Sequence, residues 1–235
     1  MNLKRTTLIC LIAAAAFGAC KKDDPITPEV EVAPVKLSEY ITQYSNGVIE
    51  VKNYPIDMTR NNSVKDDYFN FDSHLFISKD KALTKEWDIA FRSVNSQVWA
   101  NEGTRLNTPW TGNGSQVRLC GIMKNFDEVS TVVPSELNFT DGFSSTISLY
   151  PQQETPYEQL RSYWSKGVYT ELGALDYIVP DPNRCFIIRL NDGRYVKFQY
   201  INLYDTEPLK NSSTSKKGFL SFRYFIGKGE NVKTK

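Results

Sequence analysis

Few residues in this chain could carry chemistry, and their spacing excludes more than it permits. The sole histidine is His74. It falls inside an apparent strand, Tyr68 to Ile77, where an imidazole is more often a packing or surface residue than a catalyst. A nucleophile–base triad would have to be built around it. The chain contains no Gly-x-Ser-x-Gly elbow, no Gly-x-Gly-x-x-Gly turn and no phosphate-binding loop. Cys120 and Cys185 lack the Cys-x-x-Cys spacing of zinc and redox sites. Asp66, Asp67 and Asp181 sit among loop residues and read as solvated turn formers, which argues against a metal hydrolase. The reading is a protein that is not an enzyme.

Cys20 is the one residue whose surroundings do specify chemistry. Lys4 and Arg5 precede an apolar run from Leu8 to Phe17, followed by Gly18 and Ala19. This is the layout of a secretory signal. The run is short of the about 20 residues that span a bilayer. Cleavage before the thiol makes residues 1–19 a signal peptide and Cys20 the site of lipid attachment. Each buried acyl methylene contributes about 0.8 kcal/mol to anchoring. Residues 20–36, charged and proline-bearing, read as a flexible tether, and residues 37–235 as a single domain. Lys21-Lys22-Asp23-Asp24 resembles the surface-export signal of Bacteroidetes lipoproteins, which implies the outer face of the outer membrane.

Without Lys4 and Arg5, 26 basic residues face 27 acidic ones, a net charge of −1. That balance offers nothing for nucleic acid. With Cys10 removed and Cys20 acylated, Cys120 and Cys185 could bridge in an oxidising compartment or remain as core thiols; both readings stay open.

The elements that must position any site are mostly short strands rich in aromatic and β-branched residues: Val48–Val51, Tyr68–Ile77, Glu86–Phe91, Gln116–Ile122, Ser144–Tyr150, Arg184–Leu190, Tyr195–Leu203 and Phe219–Ile226. In Glu86–Phe91, Trp87, Ile89 and Phe91 alternate with Asp88 and Ala90, which predicts one inward face. Asn191-Asp192-Gly193 between two such runs predicts a hairpin. Thr155-Pro156-Tyr157-Glu158 has the form of a capping box. Tyr157, Leu160 and Trp164 then share a helical face and Gly167 supplies a stop, which predicts one short amphipathic helix. Long loops are expected at Lys52–Asp67, Asn101–Ser115 and Asp205–Lys217, the last as a link between paired strands.

Two blocks carry a family resemblance: Glu86-Trp87-Asp88-Ile89-Ala90-Phe91, and Arg184-Cys185-Phe186-Ile187-Ile188-Arg189-Leu190-Asn191-Asp192-Gly193-Arg194-Tyr195-Val196-Lys197-Phe198. With Tyr68–Phe71, Phe126–Val129, Pro134 and Gly218–Tyr224 in the same order, they resemble the HmuY family of Bacteroidetes haem-binding lipoproteins. The resemblance implies an all-β, hand-like fold in which two sheets and their long loops grip a haem. It also implies a TonB-dependent outer-membrane transporter as partner. The family's two histidine ligands have no counterpart here, since no histidine follows His74, and Met58 and Met123 lie outside the ligand stretch. The ligand loops correspond to the neighbourhoods of Tyr150–Tyr157 and Tyr169–Leu172. Tyrosinate holds ferric haem in some proteins, so Tyr150, Tyr157 and Tyr169 are the ligand candidates, with Arg161 and Lys166 as neighbouring charges. Thirteen tyrosines in a β protein serve chiefly as strand and rim residues. The alternative is the same fold used as a non-haem surface interaction or glycan-binding module.

Overall fold

A computed structural model of the chain describes residues 32–56, 67–92, 97–102, 115–137, 139, 146–147, 163–169, 171, 175–206 and 215–234. The first sheet contains β1 (Val35–Lys36), β2 (Ile41–Gln43), β3 (Ile49–Pro55), β8 (Arg118–Ile122), β12 (Cys185–Arg189), β13 (Tyr195–Tyr204) and β14 (Lys217–Ile226). Their spatial order is β1-β2-β3-β14-β13-β12-β8. The second contains β4 (Asp67–Asn70), β5 (Leu75–Ile77), β6 (Ile89–Arg92), β7 (Gln97–Ala100) and β9 (Thr146–Ile147), in the order β5-β4-β6-β7-β9. A separate pair joins β10 (Ser165–Tyr169) to β11 (Leu175–Pro180). Every pairing is antiparallel. The fold is all-β.

Aromatic residues fill the space between the two sheets. Phe69 and Phe91 of the smaller sheet meet Phe222 of the larger at centroid distances of 5.3 and 5.1 Å, and Phe198 lies 5.2 Å from Phe222. All four are buried. Edge-on and tilted contacts of this kind add to the area that such rings remove from water. The opposite face of the large sheet is covered by the segment around Phe126, Val129 and Val132 and by Val232, which pack on Cys185, Ile187 and Tyr195. β12 is therefore buried on both faces, so Cys185-Phe186-Ile187-Ile188 is apolar without alternation. On the covered face Lys197 is also buried. Its ammonium donates to the Val129 carbonyl at 2.9 Å and sits 4.3 Å from the Phe126 ring centre. A hydrogen bond and a ring face thus replace the water it loses.

The β12–β13 hairpin is as the sequence predicts. Gly193 takes the left-handed conformation at φ 86°, and the Leu190 and Arg194 backbones close the turn. Asp205 N–H donates to the Lys216 carbonyl at 3.0 Å where β13 and β14 leave their pairing, so the Asp205–Lys217 link does join paired strands.

Three expectations are corrected. The run Tyr68–Ile77 is a hairpin, because Asn70 and the residues after it have turn chemistry: Asn70 Oδ1 accepts the Ser73 N–H at 2.8 Å, and the chain reverses over Phe71–His74. Trp87 does not share a face with Ile89 and Phe91. It precedes β6 and packs with Tyr68 and Ala90 in a satellite cluster, while Ile89 and Phe91 enter the main core. Asp88 and Ala90 are buried too, so the alternate residues do not face solvent as the pattern suggests. Gly167 does not stop a helix: it lies within β10 opposite Ile178. Residues 155–162 of the predicted helix lie outside the described residues.

Cys120 and Cys185 are reduced and buried. Cys120 pairs across from Ile187 and Cys185 from Ile122, which makes the thiols diagonal neighbours on one face. Such diagonals are about 7–8 Å apart, beyond the usual reach of a disulfide.

Candidate ligand site at the β10–β11 hairpin

Ser165, Lys166, Gly167 and Val168 pair in register with Pro180, Val179, Ile178 and Tyr177, and the register shifts before Tyr169 meets Leu175. A lone two-stranded ribbon is marginal in water, so its root must be held by the sheet beneath. Trp164, 1% exposed, stacks on Tyr200 of β13 with centroids 4.2 Å apart and planes 19° from parallel. The Tyr204 hydroxyl accepts the Ile178 N–H at 3.3 Å. Burial raises the pKa of both Tyr200 and Tyr204, so both phenols stay protonated.

Asp181 fixes the passage from β11 into β12. Its backbone N–H donates to the Trp164 carbonyl at 2.9 Å, and its Oδ1 accepts the Asn183 N–H at 3.1 Å. Its Oδ2 faces Lys166 at 3.4 Å and Arg184 at 3.5 Å. The sequence suggests a solvated turn former. The side chain does form a turn, but it is 4% exposed and its charge is matched by the nearly buried Arg184. A second relay runs beneath: Gln199 Nε2 donates to the carbonyls of Pro182 and Arg184 at 3.0 and 3.2 Å. Its Oε1 accepts from Arg223 Nε at 2.9 Å, and Arg223 lies 4.3 Å from the Phe126 ring centre.

Tyr169 ends β10 at the free end of this ribbon and is 40% exposed. Lys166 pairs with Asp181. His74 Nδ1 is 2.6 Å from the Tyr224 hydroxyl, and burial lowers its pKa. Among the described residues no cluster of three or more His, Cys, Asp or Glu side chains could hold a metal ion.

A family model described as HmuY protein matches residues 62–224. The chain belongs to the HmuY family. A Bacteroides vulgatus structure described as that of an HmuY-like haem-binding protein is similar over 77% of this chain and 92% of its own, at 16% identity and TM-score 0.37. The apo HmuY analog of Tannerella forsythia is similar over 75% of this chain and 96% of its own, at 15% identity and TM-score 0.33. No curated protein matches.

In this HmuY-family chain, Tyr150, Tyr157, Arg161 and Met58 lie outside the described residues, as does Cys20. Tyr169 is thus the one ligand candidate whose position can be described. Sequence reasoning missed what holds the hairpin: Trp164, Tyr200, Tyr204, Asp181 and Gln199. Only Asp181-Pro182-Asn183 carried a readable signal, since Asp and Asn flanking Pro initiate turns.

Proposed function

We propose that this chain is an outer-membrane surface lipoprotein that binds haem or a related planar ligand and passes it to a TonB-dependent transporter. The observation that carries this reading is the family match across residues 62–224. The leader ending at Cys20 supports the anchored location. The donor chemistry is that of oxygen: an exposed phenol, Tyr169, ends a ribbon pinned at its root, whereas the single imidazole is engaged by Tyr224. A phenolate supplies a negative oxygen to ferric iron, with Tyr150 and Tyr157 as the other candidates. The role is carriage rather than catalysis. The lack of any histidine after His74 favours the rival reading, in which the fold serves as a surface interaction module without haem.

An absorbance titration with ferric and ferrous haem tests the proposal. The expected complex is high-spin in the ferric state, because an anionic oxygen is a weaker-field ligand than imidazole, and it loosens on reduction. Single replacements Tyr150→Phe, Tyr157→Phe and Tyr169→Phe keep each ring and remove each oxygen. If none alters the spectrum, tyrosine ligation fails; if the wild type gives no saturable change, haem gives way to the interaction module.

A further inference from the structure

On the face of the large sheet opposite the aromatic core, three neighbouring strands leave regular pairing at one level. β14 shifts register against β3 between Leu220 and Phe222, and β13 shifts against β14 on both sides of Asn202. At the same level Asn53 adopts φ 54°, a conformation that side-chain-bearing residues rarely take. Asn53, Ser221 and Asn202 form a polar row across β3, β14 and β13, with Asn202 directly opposite Ser221. The Asn53 N–H donates to Ser221 Oγ at 2.9 Å, and Asn53 Nδ2 donates to the Asp205 carbonyl at 3.2 Å. Asn202 Nδ2 donates to the Tyr204 and Thr206 carbonyls at 3.1 and 3.3 Å. These bonds fix the floor of a cleft of about 690 Å³, which extends to Val179 and Pro180 of β11.

We propose that this cleft binds a small neutral, hydroxyl-rich ligand of the mono- or disaccharide class. Bulges interrupt pairing and re-aim side chains, and strained backbone persists only where its surroundings over-determine it. Here the interruption creates a pre-built depression in an otherwise regular sheet, so little ordering remains to be done when a ligand enters. The walls offer two carboxylates, Glu50 and Asp205, together with the Thr206 hydroxyl and the Lys52 ammonium. Carboxylates accept from vicinal hydroxyls, while one ammonium supplies a donor to a ring or hydroxyl oxygen. Among the described lining residues, two negative groups against one positive disfavour phosphate and other anions. Val179, Pro180 and Ile201 give the non-polar strip on which the C–H face of a sugar can lie. The volume falls within the range of small-molecule sites. Among the described residues the lining holds no aromatic ring, histidine, methionine or cysteine, so those residues offer a porphyrin neither a stacking face nor an iron ligand. The inference therefore stands apart from haem binding.

Saturation-transfer NMR on the purified full chain, with millimolar galactose, N-acetylglucosamine, maltose and lactose and with inorganic phosphate as the anionic control, tests this. At least one sugar should receive saturation, and phosphate should not compete with it. Glu50→Gln and Asp205→Asn should each weaken that sugar about tenfold, the size expected for losing one charge-assisted hydrogen bond. Their thermal melts should match the wild type, since Asn still offers an oxygen to the Lys216 N–H that Asp205 Oδ1 accepts at 2.8 Å. The haem titration should be unaffected by either change. Transfer to none of the four sugars, equal transfer in wild type and both variants, or competition by phosphate would overturn the assignment.

Discussion

His74 Nδ1 and the Tyr224 hydroxyl are 2.6 Å apart, a bond across 150 residues that ties the β4–β5 turn to β14. His74 makes it from a left-handed backbone at φ 57°, and Tyr224 from a fully buried position. Burial lowers the pKa of the imidazole and raises that of the phenol, so both partners are neutral at pH 7. The only histidine of the chain thus joins two sheets. Tyr224→Phe should destabilise the domain by about 1–2 kcal/mol, read as a lower urea midpoint at unchanged slope.

Asp88, close beneath that turn, accepts the Phe71 N–H at 2.8 Å, and burial raises its pKa to about 6. A carboxyl raised above its unfolded value binds its proton more tightly in the folded state. Its stabilising contribution is full below about pH 4 and is lost as pH rises through about 6. His74 works in the opposite sense, losing stability as pH falls through the unfolded value of about 6.5. Asp88→Asn should therefore be relatively most costly near pH 4, and the difference from wild type should shrink by up to about 3 kcal/mol by pH 7. His74 is present in both proteins and cancels. Urea melts at pH 4 and pH 7 with a pH-independent difference would contradict this.

Trp87→Ala should cost on the order of 3–5 kcal/mol, because a fully buried indole leaves a large cavity. Its Nε1 donates to the Ala82 carbonyl at 3.0 Å, so truncation also orphans a loop carbonyl. A thermal melt indistinguishable from wild type would rule out this placement.

At the hairpin root, Asp181→Ala strands the nearly buried Arg184 and should cost about 3–5 kcal/mol. Lys166→Ala removes a partner that is 62% exposed and should cost under about 1 kcal/mol. Comparable losses from both would mean that the carboxylate is not matched chiefly by Arg184.

Cys20→Ala should release the protein from membranes without altering its melting, since the proposed lipoprotein would be anchored through an acylated Cys20 thiol. Sedimentation with membranes after a high-salt wash would refute the lipoprotein reading.

Features set by neighbours in sequence were legible beforehand. The Asp192-Gly193 turn and the runs on either side of it dictate their hairpin locally, as the left-handed Gly193 illustrates. Features set across the fold were not. Trp164 continues a helical stripe on paper, yet stacking on Tyr200 and pairing of Gly167 with Ile178 place it at the start of a strand. Trp87 obeys a period of two only if the strand begins before it, and β6 begins at Ile89. The burial of Lys197 and Asp181 depends on Phe126 and Arg184, whose approach no local pattern encodes.

The diagonal placement of Cys120 and Cys185 bears on how the chain would mature on the export route proposed above. An exported protein ordinarily meets enzymes that oxidise paired thiols, and mispairing is a standing hazard there. Here neither sulfur is accessible once the sheet has closed, and burial pushes the Cys185 thiol up to about 12, far from its reactive thiolate form. Maturation can therefore proceed without an oxidase or isomerase. The yield of native protein from a cytoplasm kept reducing should equal that from an oxidising compartment, which makes the chain without residues 1–19 a convenient cargo for either.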